Sequence, residues 1–160
     1  MNSNMFKMIF VCKDKNIEEA TIPEGATEIG TDAFGGCTSL EKVTIPEGVT
    51  EISNAAFSRC ISLKEIVIPE GVTYIGDYAF YGCKSLKEIN IPEGVTEIGT
   101  DAFYGCGSLE KINIPNSVTK IGYESFRGCG SLEKVTMYEG IAYIGDGAFP
   151  DKVKIIRKEA

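Results

Sequence analysis

Apolar positions along this chain recur in a frame of 23 residues. Phenylalanine falls at 34, 57, 80, 103, 126 and 149, cysteine at 37, 60, 83, 106 and 129, and leucine at 40, 63, 86, 109 and 132. The phrase IPEGVT occurs at 45–50, 68–73 and 91–96, with near copies IPEGAT at 22–27 and IPNSVT at 114–119. One full frame, from Thr44 to Ile66, reads TIPEGVTEISNAAFSRCISLKEI. Within it, Val43 and Ile45 share one face at two-residue spacing, the mark of a short strand. Pro46 ends that strand, because it has no N–H to donate and keeps the residue before it extended. Pro-Glu-Gly suits a tight turn. Val49 and Ile52, three apart, are expected to point back inward. The segment Thr31-Asp32-Ala33-Phe34 is expected to form a capped single helical turn, closed by Gly36 before Cys37. Alanine at 33, 56, 79, 102 and 148, replaced by Ser125 in one frame, points to a place where that turn lies close against its neighbour.

A fixed period of this length marks a solenoid in which each frame is one coil. A lone coil cannot bury enough apolar surface to offset its conformational entropy, so the coils must stack. The frame divides the chain into three parts: an N-terminal capping strand segment at 1–16, about six 23-residue coils at 17–149, and a C-terminal capping strand at 150–160 carrying VKIIR. The first segment holds Cys12, which lies off the cysteine series.

Laid out as L-x-x-I-x-I-P-x-x-V-T-x-I-G-x-x-A-F-x-x-C-x-x-L, the unit resembles the BspA-like leucine-rich repeat family over residues 17–149. Gly48 and its equivalents stand where commoner leucine-rich repeats place an asparagine, so no asparagine ladder is expected there. The resemblance implies an α/β repeat solenoid, right-handed and curved, with a parallel sheet on one face and short helical turns or loops on the other. It also implies a non-enzymatic protein-binding or adhesion module that contacts a host or cell-surface protein, at the cell surface or secreted. The alternative is a structural spacer or intracellular scaffold segment of a larger repeat protein.

Composition narrows the chemistry. The 160 residues are 43% apolar and 24% charged, as in a folded soluble protein, and the net charge of -7 argues against nucleic acid as a partner. No apolar run approaches the ~20 residues of a transmembrane helix, so no membrane insertion is expected. The apolar patch at 8–11 is shorter than the core of a secretory signal, and no cleavage site follows it. Histidine is absent, which removes Ser-His-Asp and Cys-His catalysis. No enzyme activity, cofactor or metal is expected.

The cysteine column admits three reactive readings beside an inert one. Catalysis lacks a partner base, and metal binding lacks C-x-x-C spacing. Disulfides fit the ~4.8 Å separation of stacked coils, but in-register side chains point the same way. The column is therefore expected to consist of buried free thiols acting as small hydrophobes. The turn acids Glu24, Glu47, Glu70 and Glu93 form a second column, read as a solvated edge over a calcium site. Tyr81 and Tyr104 share a frame position and should neighbour each other. The preferred contact surface is the exposed side of the strand face: Lys42, Thr44, Glu65, Val67, Glu88, Asn90, Lys111 and Asn113. Its mixed charges also suit simple edge protection.

Overall fold

The computed structural model describes residues 9–160, so the part of the expected N-terminal capping strand before Ile9 lies outside the described residues. Thirteen short strands follow one another: β1 Ile9–Phe10, β2 Glu19–Thr21, β3 Glu28–Ile29, β4 Lys42–Thr44, β5 Glu51–Ile52, β6 Glu65–Ile66 and β7 Tyr74–Ile75, then β8 Glu97–Ile98, β9 Lys111–Asn113, β10 Lys120–Ile121, β11 Lys134–Tyr138, β12 Tyr143–Ile144 and β13 Lys154–Lys158. Every pairing is parallel and joins equivalent positions of successive coils, as in Glu51↔Tyr74 and Ile52↔Ile75. The chain is a parallel β-solenoid of about seven turns with the leucine-rich repeat fold.

The expected strand face exists, but it is not the continuous one. It forms two three-stranded sheets, β2-β4-β6 and β9-β11-β13. The continuous sheet has seven strands, β1-β3-β5-β7-β8-β10-β12, and runs through the Glu51–Ile52 position of every coil. Sequence periodicity missed it because each strand contributes only two residues, too few to show alternation.

The expected helical turns are a correction: no helix is present among the described residues. Backbone hydrogen bonds give the reason. In the segment after β3, the amides of Ala33, Gly35 and Cys37 donate three residues back, to Gly30, Asp32 and Phe34. The amides between them, of Asp32, Phe34 and Gly36, donate across to Asn54, Ala56 and Ser58 of the next coil. A helix would need every amide for its own carbonyls, and here every second one is used for stacking. The alternation places Asp32 at φ 57°, with Ala55, Tyr78, Asp101 and Glu124 likewise positive at the same frame position. The α/β expectation therefore becomes an all-β solenoid.

The core is a set of files running along the solenoid. Phe34, Phe57, Phe80, Phe103 and Phe126 are fully buried. Their rings stack in sequence with centroids 5.1–5.3 Å apart and interplanar angles of 4–9°. Phe10 extends the stack at one end and Phe149 at the other, at 5.4 and 5.3 Å. Val49 and Ile52 are buried as their spacing indicated. The small residue at position 56 and its equivalents is buried beside them, including Ser125, whose hydroxyl donates to the Gly122 carbonyl. At the far end β13 pairs along all five residues with β11, from Lys134↔Lys154 to Tyr138↔Lys158. This covers Thr136 and Met137, so Thr136 is buried although its row is exposed elsewhere.

Two positions show how tightly the coils approach. A Cβ at Gly122 would lie 2.4 Å from the Thr100 amide nitrogen of the preceding coil. Arg59 stands at φ 61° where the other coils carry Gly36, Gly82, Gly105 and Gly128, all at positive φ.

The energetic consequences are measurable by urea or thermal unfolding. Phe80→Ala, which removes a ring stacked on both sides, is expected to cost about 3–5 kcal/mol, and Phe149→Ala, stacked on one side and half-buried, less than half of that. Arg59→Gly is expected to stabilise the chain by about 0.5–1 kcal/mol, because glycine relieves the left-handed strain and loses part of that gain to unfolded-state entropy. Equal losses at the two phenylalanines, or a destabilising Arg59→Gly, would contradict this packing.

Candidate functional site

All six cysteines are free thiols, and the five of the column are buried. Four of them donate to the phenylalanine carbonyl of the preceding coil: Cys60 to Phe34, Cys83 to Phe57, Cys106 to Phe80 and Cys129 to Phe103, at 3.1–3.2 Å. Burial pushes the Cys60 thiol up to about 12 and holds Cys83 well above the ordinary thiol range. Cys106 is raised by its hydrogen bond with Cys129 and then by burial. Cys60, Cys83 and Cys106 therefore remain protonated and are neither nucleophiles nor metal ligands at neutral pH. Among the described residues no group of three or more Cys, Asp or Glu is placed to hold a metal ion, and no helix is long and apolar enough to cross a membrane.

Side chains also bond from coil to coil on the surface. Thr50, Thr73, Thr96 and Thr119 each donate a hydroxyl to the backbone carbonyl of the equivalent threonine one coil earlier, at 3.2–3.3 Å. The Asn54 and Asp77 side-chain oxygens accept the amides of Asp77 and Thr100, at 2.9 and 2.8 Å. These two rungs form a short Asx ladder, one strand-length away from the glycine-occupied turn where none was expected. The signal was present in the sequence as Asn54 and Asp77 in one frame position.

All eight strand-face residues are exposed. Lys42 and Thr44 lie on β4, with Lys42 in register between Glu19 and Glu65, an alternation of opposite charges that supports pairing. The other six come together at the break between the two three-stranded sheets. Residues 87–91 form no strand there, and the amides of Ile68, Asn90 and Ile91 find no backbone acceptor among the described residues. The equivalent Ile45 amide also lacks one among the described residues, whereas those of Ile22 and Ile114 in the outer coils donate to Thr44 and Thr136, at 3.0 and 2.7 Å. The opening produces a furrow of about 370 Å³, lined by Glu65, Val67, Glu88, Asn90, Lys111 and Asn113 with Glu70 at its margin. A second recess around Lys64, Lys87 and Glu110 continues it through the shared Glu65, Glu88 and Lys111. Like charges do not by themselves set the break, because Lys111 and Lys134 are in register on paired strands.

The furrow is rich in hydrogen-bond acceptors. The ion pairs seen among the described residues, Lys64–Glu41, Lys120–Glu97 and Arg127–Glu124, leave out Glu65, Glu70 and Glu88. Val67 is 82% exposed, the most exposed of the large apolar side chains among the described residues. On another side, Tyr81 and Tyr104 stack at 5.1 Å and Tyr78 tilts onto Tyr81 at 5.8 Å. Their faces pack on one another, so this row presents ring edges. The charge of Asp101 beside Tyr78 raises that phenol, and burial raises the Asp101 carboxyl.

A sequence profile of the BspA type leucine rich repeat region matches in six copies over residues 7–98 and 50–158. Among solved structures, the chain is similar to a leucine rich repeat protein of T. pallidum, with 34% identity and a TM-score of 0.76 over 93% of this chain and 77% of that one. It is also similar to the pneumococcal vaccine antigen PcpA, with 25% identity and a TM-score of 0.73 over 92% of this chain and 38% of the antigen. A leucine rich cell surface protein from Faecalibacterium prausnitzii shares the fold at 24% identity, a TM-score of 0.53 and coverage of 90% and 60%. No curated protein matches the sequence.

The buried thiols predict an alkaline limit to stability. Cys60 stays protonated in the fold but ionises in the unfolded chain, so above the ordinary thiol value of 9.0 the unfolded state binds fewer protons. Stability is therefore complete below about pH 9 and falls as pH rises toward the folded value of about 12 for Cys60. Thermal unfolding between pH 8 and roughly pH 11 should show a shallower fall in Cys60→Ala than in the parent. Identical slopes would mean that the thiol is not shielded.

Proposed function

The chain belongs to the BspA-type leucine-rich repeat family, and on that premise we propose that it is a non-enzymatic protein-binding module that grips its partner along the strand-face furrow. The observation that carries this reading is the break in the ladder: where residues 87–91 leave it, the amides of Ile68, Asn90 and Ile91 find no backbone acceptor among the described residues. An unpaired backbone group gains most from a partner that supplies the missing bond. Val67 stands beside them as an exposed apolar anchor, and Glu65, Glu70 and Glu88 offer carboxylates outside the ion pairs seen among the described residues.

The partner we infer is a protein segment with lysine or arginine side chains, because the exposed groups are mainly acceptors and arginine carries five donors. Lys42 and Thr44 on β4 extend the contact beyond the furrow, and Lys111 at its edge sets register by excluding cations from one end. A host or cell-surface location is proposed with it. In support, the similar structures include a vaccine antigen and a protein named as a cell surface protein.

The test compares three immobilised chains: the parent, Glu65→Lys/Glu88→Lys in the furrow, and Thr50→Lys/Thr73→Lys on the threonine ladder. Each is exposed to extracts of extracellular matrix and of cell surfaces. The expected result is a protein retained by the parent and by the threonine variant, and bound at least tenfold more weakly by the furrow variant with its thermal midpoint unchanged. Equal retention by all three moves the contact elsewhere. Retention by none favours the spacer reading.

A further inference from the structure

The six cysteines do not form one uniform file. Cys60, Cys83, Cys106 and Cys129 each have a phenylalanine carbonyl of the preceding coil to receive the thiol proton. Cys37, at the N-terminal end of the file, faces the Cys12 thiol instead, and that thiol in turn donates to the Asp14 carbonyl at 3.3 Å. The first strand brings Cys12 there. Phe10 stacks on Phe34, the Gly30 amide donates to the Phe10 carbonyl at 2.8 Å, and the Cys12 amide donates to the Ala33 carbonyl at 2.9 Å. Cys12 follows its phenylalanine by two residues, whereas Cys37 follows Phe34 by three. The one-residue difference lifts the objection to disulfides within the column, where in-register side chains point the same way. The Cys37 amide donates to the Phe34 carbonyl at 3.0 Å, so Cys12 and Cys37 are tied to adjacent residues, Ala33 and Phe34, and lie on the same short stretch of the first coil. Cys12 is also the only cysteine of the six that is not fully buried, so a reagent in solution can reach it.

We propose that Cys12 and Cys37 form a reversible disulfide that latches the first strand onto the solenoid, with a low-molecular-weight disulfide as oxidant. The Cys12 thiolate attacks one sulfur of the reagent, breaks its S–S bond and releases one thiolate. Cys37 then loses its proton to that thiolate and attacks the Cys12 sulfur of the mixed disulfide. The second reagent thiolate leaves and takes up the proton lost from Cys12. Two protein thiols are oxidised by two electrons, and one disulfide is reduced to two thiols. Lys15 assists the second step: its ammonium lies 3.4 Å from the Asp32 and Ala33 carbonyls and opposes the effect of burial on the Cys37 thiol. The four inner thiols are shielded from the reagent and held to carbonyls, so they do not enter this exchange.

The experiment incubates the full native chain with oxidised glutathione at pH 8 and reads intact mass, a non-reducing peptide map, and hydrogen exchange at residues 9–12. The expected product has lost two hydrogens, links the Cys12 and Cys37 peptides, and exchanges those amides at least tenfold more slowly. Cys12→Ser and Cys37→Ala each abolish the link, and Cys83→Ala leaves it intact. Because Cys12 is half-buried, Cys12→Ser keeps the test open even where Cys37→Ala lowers stability. A chain that accumulates only a glutathione adduct on Cys12, links Cys12 to another cysteine, or forms the link with unchanged exchange overturns the latch.

Discussion

Every feature of this molecule depends on the backbone hydrogen bond that runs from one coil to its equivalent in the next. Such bonds occur in three places around the coil: on the strand face, at the continuous seven-stranded sheet, and at every second amide of the tight turns between them. A bond to the next coil can repeat only if the chain returns to the same place after a fixed number of residues. The 23-residue period expresses that requirement, and it explains why insertions and register shifts are absent through the repeated region.

Side chains take up the same rule. Phenylalanine rings, thiols, threonine hydroxyls and Asx side chains each repeat their contact from coil to coil, so identical residues become files of like interactions. The cysteine file shows how far this goes. A small side chain that fills space also caps a carbonyl that points along the solenoid, and burial keeps its proton in place. The ends of the files are where the rule lapses. Phe149 is stacked on one side only, and Cys37 meets a thiol that belongs to a different register.

The strand face departs from the rule in its middle, and that departure carries the functional reading. Where residues 87–91 leave the ladder, the exposed residues change from a solvated edge into a furrow with open amides and carboxylates outside the ion pairs. Six of the eight residues singled out from the sequence lie there, because alternation about the buried Ile66, Ile89 and Ile112 fixes which side chains face outward. Lys42 and Thr44 remain on the intact sheet. The position of the furrow along that row had no counterpart in the repeat itself, since coil four carries the same L-x-x-I-x-I spacing as its paired neighbours.

The sequence by itself determined the solenoid, the members of each interior file and the outward face, because burial follows a period that can be counted along the chain. Tertiary structure decided which amides bond within a coil and which bond across to the next. That choice turned the expected helical turns into alternating tight turns with Asp32, Ala55 and Tyr78 at positive φ, and it made two-residue strands into the longest sheet. It also decided where the other sheet opens. A backbone amide is chemically the same in every coil, so its partner is set by the distance to the neighbouring coil, which the pattern of side chains does not encode.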